Sequence, residues 1–429
     1  MYQPFPEPHY SVPKFPRDAV RDRKYKKFIQ WLSSNAFPET KLALANFPNT
    51  GRGMMATKDI EAGEIIVSVP NNFLITDESL IKLYGPHSLS SHQMLALHLV
   101  LLSRDKQSWW KPYVDLLPIH FNTMPAKYPK ILFDHLPASL KEETQQQREN
   151  IHADYLTCQK FLKSKFPTQQ EMSIKEFEWA WLCVNTRCIH MTRSDHSSNG
   201  GSIALAPMLD FLNHTTEAKT ESGFNVRTQC FEIKTMTPYK KGEQVFINYG
   251  PHDNLAMLRE YGFVLKENSY NFVLLDKEVW SLYSELESKR GLAIKKEILE
   301  GSGYAGDYSV KRGEVSFRLM AALRLLALNG ATEPGFDRRV MDWHDVVMGQ
   351  DDMISVDNER RAYIMLQSIC KRVAKQAKDE LEFLSTISKT HPQEEIHPFA
   401  LYFSIQIWKE SLDIVEQALD YLSDKLTRI

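Results

Sequence analysis

The segment Ala206-Pro-Met-Leu-Asp-Phe-Leu-Asn-His214 decides how the whole chain is interpreted, because its apolar run ends in an asparagine and a histidine. Further along, a second apolar run, Val245-Phe-Ile-Asn-Tyr-Gly250, ends in an asparagine, a tyrosine and a glycine. Functional sites commonly lie where strands give way to loops. If the two segments lie side by side, one pocket gains an amide, an imidazole and a phenol. That combination suits the binding of a cationic cofactor and the orientation of a small nucleophile.

The composition limits the class of protein. The chain has 429 residues, of which 43% are hydrophobic and 25% charged, so two or three domains with sizeable cores are expected. Its 52 basic and 54 acidic residues nearly cancel, which argues against a general nucleic-acid binder. No apolar run approaches the roughly 20 residues of a membrane span, and the segment Met1–Pro6 lacks the pattern of a signal peptide. We expect an intracellular protein of the cytoplasm, the nucleus or both, with no membrane and no direct nucleic-acid partner.

Several classes of enzyme are also excluded by their missing motifs. The sequence contains no P-loop, no H-E-x-x-H zinc motif and no G-x-S-x-G nucleophile motif. The number of cysteines is odd and no two form a C-x-x-C pair, so we expect no metal site and a reducing compartment. The cysteines are Cys158, Cys183, Cys188, Cys230 and Cys370.

Two stretches share one arrangement of strand, turn and strand. The predicted elements are Met54–Thr57, Asp59–Gly63 and Ile65–Val69 in the first, and Phe231–Thr235, Pro238–Gly242 and Val245–Tyr249 in the second. In each stretch a Gly-Glu pair, Gly63-Glu64 or Gly242-Glu243, directly precedes the second strand. We expect two hairpin-like units that flank a long middle section.

The rest of the chain has a helical pattern. Residues 78–190 are predicted to form a helical insertion within the β-rich part, and the pattern is helical again from about residue 265 to the end. The last helix has a seven-residue apolar repeat, which is typical of a coiled-coil dimer or of a long helix packed inside a helical domain. We favour the packed helix and a monomer. The repeat consists of Leu401, Ile405, Trp408, Leu412, Val415, Leu419, Leu422 and Leu426.

Each site signal has an ordinary structural explanation when it is taken alone. An Asn-His pair after an apolar run, such as Asn213-His214, is usually a capped turn. A tyrosine at a strand end, such as Tyr249, most often lies at the edge of a core with its hydroxyl exposed to water. The turn Gly51-Arg-Gly53 lets backbone approach a ligand, but most such turns only reverse the chain. Their joint occurrence in this order favours a functional site.

The order of these motifs resembles that of the SET-domain lysine methyltransferases, and most closely the group typified by the Rubisco large-subunit methyltransferase. The resemblance covers about residues 25–265 and is looser beyond. It rests on the segments Trp179–Arg187, Ala204–His214 and Val245–Asn254, and on Trp110-Lys-Pro-Tyr113 with Leu117-Pro118. It implies an α+β fold in which a β-rich SET core with a helical insertion is followed by an all-α C-terminal substrate-binding domain.

The resemblance also implies domain boundaries. Residues 1–46 would form an N-terminal extended segment and a helix, which the sequence places from Lys24 to about Asn35. Residues 47–262 would form the SET domain, with the helical insertion at about 85–190. Residues 263–429 would form the helical substrate-binding domain.

The same resemblance implies S-adenosylmethionine as the cofactor and a protein lysine as the acceptor. The Arg52-Gly53 turn would present its backbone to the cofactor, and Arg187 would face the cofactor's carboxylate. Asn213 and His214 would hold its adenine and amino ends, largely through main chain.

Further residues are matched to catalysis and to the walls of the site. Tyr249 matches the tyrosine nearest the transferred methyl group, and Asp210 would orient Arg187 or the substrate side chain. Tyr261 and Phe263 would wall the cofactor pocket and the lysine channel. An additional aromatic ring, Phe224 or Phe231, would close that channel.

The chemistry fits these residue types. Methyl transfer from a sulfonium is an in-line displacement, so catalysis is mostly alignment within a dry channel. The acceptor lysine must be neutral, and an apolar channel beside a sulfonium lowers its pKa from the usual value of about 10.4. No metal is required.

The sequence departs from the histone-directed SET enzymes in two ways. It lacks their zinc-binding cysteine clusters, and Thr215-Thr216 follows the Asn-His pair where those enzymes often have serine and then cysteine. This places it in the insertion-containing branch, whose targets are often non-histone proteins. Histone tails, ribosomal proteins and chaperones are all compatible with the family as substrates. Two alternatives remain open: a histidine acceptor, as in the relative that methylates actin, and an inactive SET-like protein-binding module.

Overall fold

The computed structural model describes residues 17–18, 22–191, 202–390 and 396–429. The chain separates into two compact units. The first contains the chain up to Lys266 together with His397–Tyr402, and the second contains Glu267–Ile396 and Phe403–Ile429. Among the described residues, no helix is long and apolar enough to cross a membrane.

The first unit is built around short strands in three sheets, with the orders β1-β2-β3-β11-β8, β4-β10-β9 and β5-β7-β6. The strands are β1 (Arg17–Asp18), β2 (Leu42–Phe47), β3 (Gly51–Ala56), β4 (Ile65–Pro70), β5 (Ile75–Thr76), β6 (Ile189–Met191), β7 (Ser202–Leu205), β8 (Asn213–His214), β9 (Thr220–Asn225), β10 (Cys230–Thr235) and β11 (Gln244–Ile247). Strand β2 pairs with β3 along its whole length. The sheet therefore begins before residue 47, the residue at which the SET domain was predicted to start.

Helices cover most of the segment between β5 and β6, where the sequence predicted an insertion. The helices of the first unit are α1 (Arg23–Ser34), α2 (Asp77–Tyr84), α3 (Ser91–Arg104), α4 (Lys111–Val114), α5 (Lys130–Phe133), α6 (Ala138–Lys165), α7 (Ile174–Arg187) and α8 (Asn254–Tyr261). Helix α7, which ends at the site, begins with a capping box in which Ser173 and Glu176 each bond the other's backbone N–H. Arg104 at the end of α3 binds the same Glu176 carboxylate at 2.9 Å and so ties the two helices together.

The two strand-turn-strand stretches pair with each other instead of forming separate hairpins, so that expectation was wrong. Strand β3 of the first stretch pairs antiparallel with β11 of the second, and β4 pairs antiparallel with β10. At the centre, the backbone N–H of Ile60 donates to the carbonyl of Tyr239, and the N–H of Tyr239 donates to the carbonyl of Ile60, both at 2.9 Å. We call residues 51–70 the first arch and residues 230–247 the second arch.

The turns of the two arches are built alike. Gly63 and Gly242 both have φ +92°, a backbone conformation that residues with a side chain rarely adopt. The glutamate that follows, Glu64 or Glu243, accepts a hydrogen bond from the backbone N–H three residues before it, at 2.9 and 2.7 Å. The repeated Gly-Glu pair therefore has a local structural cause.

The second unit is mainly helical, as predicted, and also contains a small sheet of order β12-β13-β14 that the sequence did not predict. The all-α expectation for this part therefore missed these short strands. The helices are α9 (Asp276–Leu286), α10 (Lys289–Gly301), α11 (Phe317–Leu326), α12 (Phe336–Val347), α13 (Val356–Thr390) and α14 (Pro398–Arg428, of which 398–402 group with the first unit). The strands are β12 (Val273–Leu274), β13 (Ser309–Lys311) and β14 (Glu314–Val315).

Most of the apolar repeat of the last helix is buried within the single chain, and Leu412, Leu419 and Leu426 are partly buried against the core of the second unit. Ile405, Trp408, Val415 and Leu422 are all buried, and Val415 and Leu422 belong to the core of the second unit. These positions therefore do not form an exposed coiled-coil seam, and the structure supports the packed-helix interpretation.

Candidate active site

The segments Ala206–His214 and Val245–Gly250 lie side by side in the first unit. Strand β8 pairs with β11 in parallel, with Asn213 opposite Phe246 and His214 opposite Ile247. The backbone N–H of Thr215 extends the pairing by donating to the carbonyl of Ile247 at 3.0 Å. The segments that follow the two strands therefore leave the sheet side by side.

A strained turn precedes β8. Met208 is buried and has φ 71° and ψ −48°, a conformation that costs a residue with a side chain on the order of 1–3 kcal/mol. A short 3₁₀ helix, Leu209–Phe211, follows directly. The turn is closed by the backbone N–H of Asp210, which donates to the carbonyl of Ala206 at 3.1 Å. This local geometry places the Asp210 side chain in the interior of the unit.

Asp210 forms a buried ion pair with Arg187, the last residue of helix α7. The Nη1 of Arg187 donates to the carbonyl oxygen of Asp210 at 2.9 Å and to its Oδ2 at 3.0 Å. The side chains of Arg187 and Asp210 are 14% and 0% exposed. The hydroxyl of Tyr113, from helix α4, donates to the same Oδ2 at 2.9 Å. Tyr113 was quoted in the sequence only as part of a motif, and its place in the site was missed.

A second arginine adds positive charge beside this pair. The guanidinium groups of Arg52 and Arg187 lie 5.1 and 5.4 Å from the centre of the Phe211 ring. Burial, and then the charge of Arg187, lower the pKa of Arg52 to about 10. Burial alone would lower the pKa of Arg187, but Asp210, together with smaller contributions from Tyr113 and Cys183, outweighs it and the pKa is raised. Two guanidinium groups beside one carboxylate leave an excess of positive charge, which suits a ligand that carries a carboxylate.

Tyr249 follows β11 and is held at two points. Its hydroxyl donates to the carbonyl of Leu212 at 2.7 Å, and its backbone N–H donates to Nδ1 of His214 at 2.9 Å. Burial raises the pKa of the phenol well above its ordinary value, so the phenol is neutral. Because the proton is engaged by Leu212, the hydroxyl oxygen presents its lone pairs as a hydrogen-bond acceptor.

His214 is a neutral imidazole of defined tautomer. Burial lowers its pKa to about 4. Because Nδ1 accepts a hydrogen bond from the backbone of Tyr249, we assign the proton to Nε2. That Nε2 is buried and has no hydrogen-bond partner among the described residues. It is therefore a free donor in the site.

Four rings form an aromatic cluster, which we define as His214, Tyr249, Tyr261 and Phe263. The ring centre of Tyr249 lies 5.1 Å from that of His214 and 4.9 Å from that of Tyr261. The ring centre of Phe263 lies 6.2 Å from that of Tyr261. Helix α8 ends between two of these rings at Gly262, which has φ +79° and would clash with Thr123 if it carried a side chain. Of the two predicted wall residues, Tyr261 is thus adjacent to Tyr249, and Phe263 lies next to Tyr261 and His214.

The predicted turn at Gly51-Arg-Gly53 was wrong, because these residues begin strand β3 and pair with Phe47, Asn46 and Ala45 of β2. The side-chain amide of Asn213 donates to the carbonyl of Arg52 at 3.1 Å. A methyl group on Gly53 would lie 2.8 Å from this amide and would also clash with the Gln244 side chain. The Asn213 side chain therefore fixes the start of β3 against β8. Because the Asn213 and Gln244 side chains already pack against Gly53, only glycine fits at this position.

The site retains unused polar atoms. Nε of Arg187, Oδ1 of Asp210, Nε2 of His214 and Nε2 of Gln244 are buried without a partner in the described part of the chain. Native proteins rarely leave such groups unsatisfied, so this arrangement indicates a polar ligand. Within the described ranges, no group of three or more His, Cys, Asp or Glu residues is placed to hold a metal ion.

The position of the channel-closing ring stays a prediction. Phe224 and Phe231 lie opposite each other on neighbouring strands β9 and β10. Phe231 is buried in the core of the first unit, whereas Phe224 is only partly buried against it. Phe224 is therefore the more accessible of the two.

The comparison with known proteins agrees with this geometry. Residues 51–250 match the SET domain model, and residues 287–406 match the Rubisco LSMT substrate-binding model. SET domain-containing protein 4 of Mus musculus is 31% identical, over 86% of this chain and 86% of that protein. The chain belongs to the SET-domain family. Its SET domain is accompanied by the Rubisco LSMT-type substrate-binding domain, so the predicted resemblance is confirmed.

Relatives of this SET-domain protein act on different residues. The ribosomal lysine N-methyltransferase set11 of Schizosaccharomyces pombe is 27% identical, over 92% of this chain and 97% of that protein. The actin-histidine N-methyltransferase of Gallus gallus is 26% identical, over 87% of this chain and 65% of that protein. The chain is thus a SET-domain protein related to both lysine and histidine methyltransferases.

Solved structures of Rubisco LSMT share the fold. The structure titled as bound to AdoMet has a TM-score of 0.62 at 18% identity and covers 95% of this chain and 93% of that one. The SET domain of LSMT bound to lysine and AdoHcy has a TM-score of 0.63 at 17% identity, over 94% of this chain and 92% of that one. The expected α+β architecture is therefore confirmed.

Proposed function

We propose that this SET-domain protein transfers a methyl group from S-adenosylmethionine to the ε-amine of a lysine in a protein substrate. The observation that carries the proposal is the neutral Tyr249 hydroxyl, whose proton is held by Leu212 and whose oxygen lies within the aromatic cluster. Membership of the SET family and the similarity to structures of Rubisco LSMT bound to AdoMet or AdoHcy support the choice of cofactor.

The residues present fit this cofactor. Its carboxylate would be held by Arg187, whose Nε is unused, with the charge of Arg52 nearby. Its amino group would find the unused Oδ1 of Asp210, and Nε2 of His214 offers a donor to one of its acceptor atoms. When bound, the cofactor supplies an electrophilic methyl group on a sulfonium.

Tyr249 would orient the acceptor amine. Its hydroxyl oxygen accepts a hydrogen bond from the amine N–H, which directs the nitrogen lone pair away from the phenol and along one line. Because the reaction is an in-line displacement, a fixed approach supplies most of the rate enhancement. The surrounding rings exclude water, which favours the neutral amine that the reaction requires.

The aromatic cluster favours lysine over histidine. Methylated lysine remains cationic at neutral pH, and aromatic faces stabilise a cation by roughly 0.5–2 kcal/mol. A histidine, with an ordinary pKa of about 6.5, is mostly neutral at that pH and gains less from such rings. We propose further that the second unit, which contains the substrate-binding match, selects the protein that carries the lysine.

The proposal is tested by transfer of a labelled methyl group. Purified protein is incubated with tritiated S-adenosylmethionine and a cell extract, and the labelled residue is identified by mass spectrometry. The expected result is a methylated lysine, with label incorporated on the order of a hundredfold more slowly when Tyr249→Phe protein is used. Label on a histidine would overturn the choice of acceptor. No label, together with no binding of S-adenosylhomocysteine in calorimetry, would overturn methyl transfer itself.

A further inference from the structure

The motif Trp110-Lys-Pro-Tyr113 belongs to the helical insertion, yet its tyrosine reaches the site. Tyr113 is fully buried, and its hydroxyl donates to Oδ2 of Asp210 at 2.9 Å. We infer that Tyr113 is a positioning residue that fixes the orientation of Arg187 through Asp210. The inference rests on the proposed function, because it concerns the arginine that would hold the cofactor's carboxylate.

A single oxygen atom joins the three side chains. Oδ2 of Asp210 accepts from the Tyr113 hydroxyl at 2.9 Å and from Nη1 of Arg187 at 3.0 Å. The other carboxylate oxygen, Oδ1, has no partner among the described residues. Without the Tyr113 hydroxyl, the carboxylate can rotate about its Cβ–Cγ bond with Arg187 as its remaining side-chain donor in the described chain. The guanidinium would then keep its hydrogen bond from Nη1 to the Asp210 carbonyl but lose the fixed carboxylate that also orients it.

The phenol is suited to this role because it can only donate to the carboxylate. Burial raises the pKa of Tyr113 well above its ordinary value, and the charge of Asp210 raises it further. The hydroxyl is therefore protonated at neutral pH. It stabilises the anionic form of Asp210, which is the form that pairs with Arg187.

Tyr113 is itself anchored from outside the site. Its backbone N–H donates to the carbonyl of Trp110 at 3.0 Å, and Lys111 pairs with Asp115 at 2.7 Å across the same short helix. The ring of Trp110 lies 5.8 Å from that of Trp31 in helix α1. The hydrogen bond from Tyr113 to Asp210 therefore links the position of the helical insertion to the orientation of Arg187.

A purely structural role would have different consequences. If Tyr113 merely satisfied a buried carboxylate, its loss would lower the free energy of unfolding and leave ligand affinity unchanged. A positioning role predicts weaker binding of the cofactor's carboxylate end. It also predicts that, as the pH is lowered, the variant loses cofactor binding at a higher pH than wild type does. The reason is that Asp210 without its phenol donor takes up a proton more readily.

The test compares Tyr113→Phe with Tyr155→Phe. Tyr155 lies in α6 of the same insertion, and its hydroxyl donates to the carbonyl of Met172 at 3.0 Å, so each variant loses one tyrosine hydrogen bond. S-adenosylhomocysteine affinity is measured by calorimetry from pH 5 to pH 8. We expect Tyr113→Phe to bind roughly tenfold more weakly and to lose binding at a higher pH, as expected for a hydrogen bond to a charged group. Tyr155→Phe should match wild type in both.

The outcomes separate the inference from the proposed function. If wild type binds S-adenosylhomocysteine and Tyr113→Phe binds it equally well with the same pH profile, the positioning role is wrong. If wild type itself does not bind, the proposed function fails first. Should Tyr113→Phe not fold, Asp210→Asn alone must reproduce the affinity loss. Where both variants fold, their combined loss must fall short of the sum of the single losses, and additive losses contradict the relay.

Discussion

At the scale of single residues, the engagement of the Tyr249 proton determines what this phenol can do. The hydroxyl donates to the carbonyl of Leu212, and burial keeps the phenol neutral. A neutral phenol whose proton is engaged is a poor general base but a well-directed hydrogen-bond acceptor. The residue is thus suited to alignment of an amine and not to removal of its proton.

Tyr249→Phe should lower turnover more than cofactor affinity. Loss of the hydroxyl removes the acceptor that aligns the amine, and misalignment of this kind costs on the order of 10²-fold in rate. Binding of S-adenosylhomocysteine should stay within about threefold of wild type. Tyr239→Phe is the matched control, because its hydroxyl also donates to a backbone carbonyl, that of Phe246 at 3.2 Å. Unchanged turnover in Tyr249→Phe would refute the orienting role.

Two buried histidines should make the protein less stable in acid. Burial lowers the pKa of both His98 and His214 to about 4. Between that value and the unfolded pKa of about 6.5, the unfolded chain binds protons that the folded chain does not. The contribution of each histidine to the free energy of unfolding is therefore fully present above pH 6.5 and is lost as the pH is lowered. The free energy of unfolding should fall by roughly 2 kcal/mol per histidine between pH 7.5 and pH 5. Urea unfolding at these two pH values measures the change.

The histidine prediction has an internal control. In His98→Phe, the drop in the free energy of unfolding between pH 7.5 and pH 5 should be smaller by the contribution of His98. This holds whatever the stability of the variant at pH 7.5. NMR titration of the imidazole protons provides the direct check. Midpoints near 6.5 for both His98 and His214 would contradict the prediction.

The sequence was informative about some site residues and silent about others. Asn213 and His214 were expected beside Tyr249, because strand ends and motif order carry that signal. Tyr113 contacts Asp210 across 97 residues of chain, so no local pattern links them. The positive φ of Met208 was also unforeseen, because methionine has no preference for that conformation and only the surrounding structure imposes it.

At the scale of elements, the two arches show which part of a β structure a sequence encodes locally. The strands and turns were predicted close to their observed positions, because alternation and Gly-Glu turns are local signals. Their partners were assigned wrongly, because a hairpin and a long-range pair present the same pattern of apolar residues. Strands β12 to β14 were missed because two or three residues are too few to show a period.

Gly63→Ala and Gly242→Ala should each destabilise the first unit. Both glycines have φ +92°, where an added Cβ costs about 1–2 kcal/mol. Gly223→Ala is the matched control, because Gly223 lies in β9 of the same unit with open space around its Cα and no positive φ. Chemical denaturation should show a loss for the two arch variants and little change for the control. Equal effects in all three would contradict the role of the turn conformation.

At the scale of the whole molecule, the burial of the last helix predicts a monomer. The apolar repeat of α14 contributes Val415 and Leu422 to the core of the second unit, which leaves no seam for a second copy there. Light scattering coupled to size exclusion should give a mass near 49.7 kDa at micromolar concentration. A mass of twice that value, lost on substitution of exposed α14 residues such as Tyr421, would restore the coiled-coil interpretation.

The pairing of the two arches also constrains the order in which the chain can fold. Met54 must find Val245, and Val69 must find Phe231, with the whole helical insertion between them. Closing so long a loop is entropically costly and slow, whereas helices form from neighbouring residues. We expect amides of α3 and α6 to gain protection before those of β3 and β11 when refolding is followed by pulsed hydrogen exchange. The pocket would then be the last part of the first unit to form, assembled around helices that are already in place.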